Sequence, residues 1–288
     1  MVDSQTQFAR LVVVGVGLIG GSIALAAKTR GIAKEVFGIG RNQERLAAAK
    51  ERGVIDFYVT ELSELSTADL VVICTPVNRI AKDVITALDA LPADCLVTDA
   101  GSIKESLVHA VEEAQPENGR FLGAHPLAGS HQTGFENADP ALYNGRLCVV
   151  TPTSTTHPNT VERVEGFWKA LGMRVERMSP AEHDRVLAMT SHLPHLAASA
   201  LAGLVDEEML SFAASGFRDT TRVAAGDPDL WTAIFSENSR QVVDVTQLLI
   251  DKLQLLCDAI SSGDQHALRQ HLAEAQTLRR RFDQIHSM

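Results

Sequence analysis

The chain has 288 residues, 45% hydrophobic and 22% charged, enough for two domains that each bury a core. Twenty-six lysines and arginines against 36 aspartates and glutamates leave a net charge of −10, the wrong sign for a nucleic-acid surface. Four scattered cysteines without a C-x-x-C pair, no basic-then-apolar leader and no bilayer-length apolar run predict a reduced, cytoplasmic protein with no membrane partner.

Leu11 to Val14 is a charge-free, valine-rich run that predicts a strand buried on both faces. It leads into Gly15, Gly17 and Gly20 at G-x-G-x-x-G spacing, then into an alanine-rich helical stretch, Ile23 to Lys28. Gly15 suits the tight turn, Gly17 the close approach of a pyrophosphate, and Gly20 the packing of helix on strand. Leu18 and Ile19 open that helix, whose free N–H groups and dipole favour phosphate. Between a strand and a helix, the motif predicts dinucleotide binding.

Glu35 to Ile39 is the second strand. Its end faces the adenosine ribose, where a carboxylate would select NAD. The residues there are Gly40, Arg41 and Asn42, and an arginine without a carboxylate suits a 2′-phosphate, so NADP is favoured over NAD. The bland alternative is an arginine that simply faces solvent. Asn42 caps a helix running to Arg52, with Gly53 as its stop.

Further strands are expected at Asp56–Val59, Asp69–Cys74, Cys95–Thr98, Arg120–Ala124, Arg146–Val150 and Met173–Arg177. Helices are expected at Ile80–Leu91, Ile103–Val111 and Asn159–Leu171. Thr75 and Pro76 follow a strand and should border the cofactor, and Ser102 and Lys104 should lie at the same mouth of the sheet. After Arg177 only helices follow: Ala181–Thr190, Pro194–Val205, Leu230–Ser261 and Ala267–Ile285. Val242, Val245, Leu249, Leu253, Leu256 and Ile260 form one apolar stripe, which must be covered by a neighbouring helix or a second subunit.

His125 follows a strand, is held by Pro126, and has the chemistry to take a proton from a hydroxyl while a nicotinamide takes hydride. Ser102 could orient the same hydroxyl or simply cap a helix. His192 and His195 lie one turn apart without a third ligand at a telling spacing, so no metal is expected, and a histidine donating to an anion is the better reading. Of Arg218 and Arg222, one could clamp a carboxylate and the other pair with Asp219 or Asp227. Trp231, taken alone, reads as a core anchor.

GLIGGS at 17–22, DAGSIK at 99–104, GAHPLAGS at 123–130, SHLPH at 191–195 and GFRDTTRVAAGDPDLW at 216–231 resemble, in order, the motifs of prephenate dehydrogenases, a family that includes arogenate dehydrogenases. The resemblance spans nearly the whole chain. It implies an α/β fold in which an N-terminal Rossmann-type dinucleotide-binding domain, 1–178, precedes an all-helical substrate and dimerisation domain, 179–288. It implies a homodimer that oxidatively decarboxylates prephenate, or arogenate, in tyrosine biosynthesis. His125 is similar to the family's catalytic histidine and Ser102 to the serine that orients the hydroxyl. Arg222 resembles the carboxylate-binding arginine, with His195, His192, Ser130, His131 and Trp231 in the substrate pocket. Some relatives carry a glutamate at the position of His131. With no room in the chain for a regulatory domain, any tyrosine inhibition is expected at the active site. The competing readings are a β-hydroxyacid dehydrogenase, disfavoured because no lysine lies between Ala181 and Leu230, and a non-catalytic NADP-sensing protein.

Overall fold

A computed structural model describes residues 7–129 and 132–286; Ser130 and His131 fall outside the described residues. Eight strands form one sheet: β1 (Phe8–Val14), β2 (Ala33–Ile39), β3 (Phe57–Val59), β4 (Leu70–Ile73), β5 (Leu96–Asp99), β6 (Phe121–Pro126), β7 (Leu147–Thr151) and β8 (Arg174–Arg177). Their order is β3-β2-β1-β4-β5-β6-β7-β8. The first six run parallel, β7 is antiparallel to β6, and β8 is parallel to β7. Order reverses between β1 and β4, which opens a crevice at the carboxyl ends of the strands.

The uncharged strands are buried on both faces because helices cover both. Leu11, Val13, Leu70 and Val72 point into one core, and Val12, Val14, Val71 and Ile73 into the other. The first core takes in residues of α1 (Leu18–Thr29), α2 (Gln43–Glu51) and α5 (Pro158–Ala170); the second takes in α3 (Val77–Ala90) and α4 (Glu105–Ala114). Asn42 caps α2 through its side-chain oxygen, which accepts from the Arg45 amide at 2.9 Å.

Beyond β8 the chain is helical: α6 (Pro180–Leu187), α7 (Leu193–Ala202), α8 (Ser215–Thr221), α9 (Pro228–Glu237), α10 (Ser239–Ser261) and α11 (Gln265–His286). Two expectations are corrected. The helices expected at Ala181–Thr190 and Pro194–Val205 are not separated by a loop: a π-helical turn, Ala188–His192, joins α6 directly to α7, which begins at Leu193. Pro194 has no N–H for the ladder and its ring displaces the preceding turn, so the helix widens there without stopping. The expected helix Leu230–Ser261 is broken at Asn238, whose backbone leaves the helical region. Its side chain is committed elsewhere, donating to the Asp184 carbonyl at 3.0 Å and lying 3.2 Å from His192 Nδ1.

The chain divides by compactness after Asn238, into a unit up to that residue and a helical pair from Ser239 onward. The last strand of the sheet ends earlier, at Arg177. Among the described residues no helix is long and apolar enough to cross a membrane.

Candidate active site

The crevice at the strand ends has a volume of about 1220 Å³ and is lined by Gly15, Gly17, Gly40, Arg41, Thr75 and Pro76 among others. The glycine turn fits a dinucleotide. Gly15 has φ +94°, and a Cβ there would lie 2.6 Å from the Cys74 carbonyl oxygen. A Cβ on Gly20 would meet the Gly15 carbonyl oxygen at 2.2 Å, whereas Gly17 faces open space, the room a pyrophosphate needs. No side chain caps α1 and its first turn carries no acid, so its N-terminal N–H groups remain available to an anion. Leu18, Ile19 and Gly20 are not among the residues that line the crevice; the Ile19 carbonyl accepts from Tyr143 Oη at 2.8 Å. Thr75 donates its hydroxyl to Asp83 at 2.6 Å, and Pro76 immediately precedes α3.

His125 stands at the end of β6, next to β5, whose following loop carries half-buried Ser102. His125 Nδ1 is 2.9 Å from His183 Nε2, and His183 Nδ1 is 2.7 Å from Asp184 Oδ1. Asp184 only accepts; it also takes the amides of Lys104 at 2.9 Å and Glu105 at 2.8 Å, where α4 begins. This fixes the tautomers. His183 donates Nδ1–H to the carboxylate, so its Nε2 accepts, and His125 must donate Nδ1–H to it. The remaining nitrogen of His125, Nε2, keeps a lone pair. Burial, reinforced by His183 and the Lys104 charge, holds His125 well below the ordinary imidazole value. Burial likewise lowers His183, against the pull of Asp184. Both rings are therefore neutral at pH 7.

Lys104 does not open on the mouth of the sheet as expected. It is wholly buried, its ammonium 2.5 Å from Asp99 Oδ2. Asp99 also accepts from the Gly101 and Ala124 amides at 2.8 and 3.0 Å, tying the end of β5 to the strand that carries His125.

On the helical side, Trp231 is not a core anchor. It is half-buried, and its ring stacks on His195 with centroids 3.5 Å apart and an interplanar angle of 25°. His195 Nδ1 faces the Ser191 carbonyl at 3.0 Å, so that nitrogen is the donor. Burial, then the Arg222 charge, lowers its pKa. With Nδ1 committed to the Ser191 carbonyl, Nε2 is the nitrogen that remains to meet a ligand. His192 is buried and pushed down to about 4 by burial. Its Nδ1 faces Asn238 at 3.2 Å. Arg218 pairs with Asp219 at 3.3 Å, and Asp227 caps α9, accepting from the Asp229 and Leu230 amides. Arg222 has no acidic partner among the described residues. Ser130 and His131 lie outside the described residues.

Sequence reasoning missed His183, Asp184, Asp99 and Asn238. A signal existed for the first two. On α6 they share the buried side with Leu187 and Ala188, and a histidine–aspartate pair at core-facing helix positions requires a polar partner.

The family model of the prephenate dehydrogenase nucleotide-binding domain matches residues 23–177, and that of the prephenate dehydrogenase dimerization domain matches residues 179–274. A cyclohexadienyl dehydrogenase of Zymomonas mobilis is 31% identical, over 96% of this chain and 96% of that protein. A prephenate dehydrogenase of Bacillus subtilis is 34% identical over 81% of this chain, which spans 65% of that relative's length. The crystal structure of prephenate dehydrogenase from A. aeolicus, in complex with hydroxyphenyl propionate and NAD+, superposes with a TM-score of 0.89 at 32% identity, covering 95% of this chain and 98% of that one. A dinucleotide crevice, a histidine with a fixed lone pair and two domain models covering most of the chain converge on one conclusion: this chain belongs to the prephenate dehydrogenase family.

Proposed function

We propose that this protein oxidises prephenate, or its amino counterpart arogenate, with loss of carbon dioxide, giving 4-hydroxyphenylpyruvate or tyrosine. The observation that carries this reading is the Asp184–His183–His125 chain, which leaves a neutral, unprotonated Nε2 at the sheet edge that also forms the dinucleotide crevice. The nicotinamide cofactor, when bound, supplies the hydride acceptor for C4 of the ring. His125 Nε2 takes the C4 hydroxyl proton as the C4–O bond gains double-bond character. The electron pair of the bond between C1 and its carboxylate then flows into the ring, carbon dioxide leaves, and the phenolate oxygen recovers a proton. Aromatisation drives the reaction, so the protein's task is alignment and anion binding. Ser102 orients the hydroxyl, Arg222 pairs with a substrate carboxylate, and His195, His192, Trp231, Ser130 and His131 complete the pocket.

The preferred cofactor in this reading is NADP, supported by Arg41 on the crevice wall and by the absence of a carboxylate at Gly40. The protein acts as a homodimer through its helical part, a reading supported by the dimerization-domain match. The domain boundary lies at 178 in function, with the substrate groups His192, His195, Arg222 and Trp231 all beyond it. The testing assay follows reduced-cofactor absorbance with prephenate or arogenate, each with NADP and with NAD. Turnover of a 3-hydroxyacid but of neither cyclohexadienol would overturn the reading in favour of a β-hydroxyacid dehydrogenase.

A further inference from the structure

The turn after β2 presents two arginines to the cofactor crevice: Arg41 at its tip and Arg45 one helical turn later in α2. Arg41 is exposed and pairs with no acid among the described residues. Arg45 Nη2 lies 3.5 Å from Glu136 Oε2. Glu136 belongs to the short 3-10 turn Phe135–Asn137, on the connection that leaves His125 and returns as β7. That turn packs on α1 and meets α2 through its side chains. Phe135 is buried, with the guanidinium carbons of Arg45 and Arg52 at 5.8 and 5.6 Å from its ring centroid. Gly134, just before it, lines the same crevice. A carboxylate from the connection that follows the catalytic strand therefore stands at the adenosine end of the crevice, on the arginine nearest to Arg41 along the chain.

The pairing is a weak one. It is a single long contact between two substantially exposed side chains, a geometry that contributes little in water. A dianionic phosphate offers a guanidinium shorter, bidentate, charge-assisted bonds. We propose that Arg45 is, with Arg41, the second clamp of the cofactor's 2′-phosphate, and that Glu136 is its resident counter-ion, displaced when that phosphate binds. Glu136 thereby sets how strongly the site discriminates for the phosphate, although it sits outside the β2–α2 turn. The inference rests on the proposed preference for NADP.

The test is calorimetric binding of two ligands that differ only in the 2′-phosphate, adenosine 2′,5′-bisphosphate and AMP, to the whole chain. Wild type should prefer the bisphosphate. Arg45→Ala should weaken the bisphosphate by about tenfold or more while AMP changes less than about twofold. Glu136→Gln should tighten the bisphosphate by about threefold or more without changing AMP, and its effect should vanish in the Arg45→Ala background. Equal wild-type affinity for the two ligands would remove the cofactor reading and this inference together. A wild-type preference that survives in Arg45→Ala would overturn only the inference, leaving Arg41 as sole clamp. Loss of AMP binding in Arg45→Ala would mean that Arg45 merely supports the crevice, and an unchanged bisphosphate affinity in Glu136→Gln would remove the counter-ion role.

Discussion

A histidine can be a base at neutral pH only if it is unprotonated and its lone pair faces the proton. For His125 both conditions follow from neighbours. Burial and the positive Lys104 lower its pKa, and His183, oriented by Asp184, takes its Nδ1–H. Because the base is active when deprotonated, kcat/KM should be flat through neutral pH and fall on the acid side, below the ordinary imidazole value of about 6.5. His125→Asn should lower kcat by roughly two to four orders of magnitude with little change in KM, and the acid limb should disappear. Arg222→Ala should mainly raise KM, since a carboxylate pair forms already in the ground state. A His125→Asn enzyme with near-normal kcat and an intact acid limb would make another group the base, His195 first. Lys104 allows a separate test on stability. Lys104→Met leaves Asp99 charged and buried without its ion partner, which should cost about 3–5 kcal/mol in urea unfolding. A loss below about 1 kcal/mol would mean that the Gly101 and Ala124 amides satisfy Asp99 unaided.

At the scale of elements, inner strands such as β4 and β7 were legible because uncharged, β-branched runs bounded by turn residues have few alternatives in a sheet covered on both faces. Leu70–Ile73, expected as part of Asp69–Cys74, is such a run. The helix breaks were not legible. Asn238 reads as an ordinary helical residue until Asp184 and His192, distant in sequence, claim its side chain. Pro194 reads as a helix start because a proline's tolerance inside a helix depends on a widened turn that leaves no mark in the sequence. His125 and the glycine turn could be found because each lies at the carboxyl end of a strand. The groups that set the state of His125 come from α6, and pairing across such separations has no sequence period. The β2–α2 turn carries its own prediction. Gly40→Asp with Arg41→Ile should shift preference toward NAD, because a carboxylate repels the 2′-phosphate and accepts from the 2′-hydroxyl. The change is sterically open, since a Cβ at Gly40 would meet only Leu46 side-chain atoms, the nearest at 3.5 Å. A wild-type kcat/KM favouring NAD by about tenfold, roughly 1.4 kcal/mol, would contradict the premise.

At the scale of the molecule, the apolar stripe on α10 is only partly covered. Val242 and Val245 are buried, but Leu253 is 51% and Ile260 64% exposed. Val243, Leu248, Ile250 and Leu255 on the same helix, and Leu272, Leu278, Phe282 and Ile285 on α11, are exposed too. Scattered apolar side chains are ordinary on a surface, but this many on one antiparallel pair form a patch beyond what a monomer usually leaves in water. The family model that spans all of α10 and part of α11 is a dimerization domain, and an isologous contact would cover the same patch on both copies at once. A stable interface needs upwards of about 1,000 Å², which two long helices from each copy can supply. The chain should therefore sediment as a dimer at micromolar concentration, and its thermal midpoint should rise with protein concentration. Leu253→Glu with Ile260→Asp should shift it toward monomer by placing like charges across the two-fold contact, while the β1–β8 sheet stays folded. If wild type sediments as a monomer at that concentration and keeps full activity, the exposed stripe serves another purpose and the dimer is excluded.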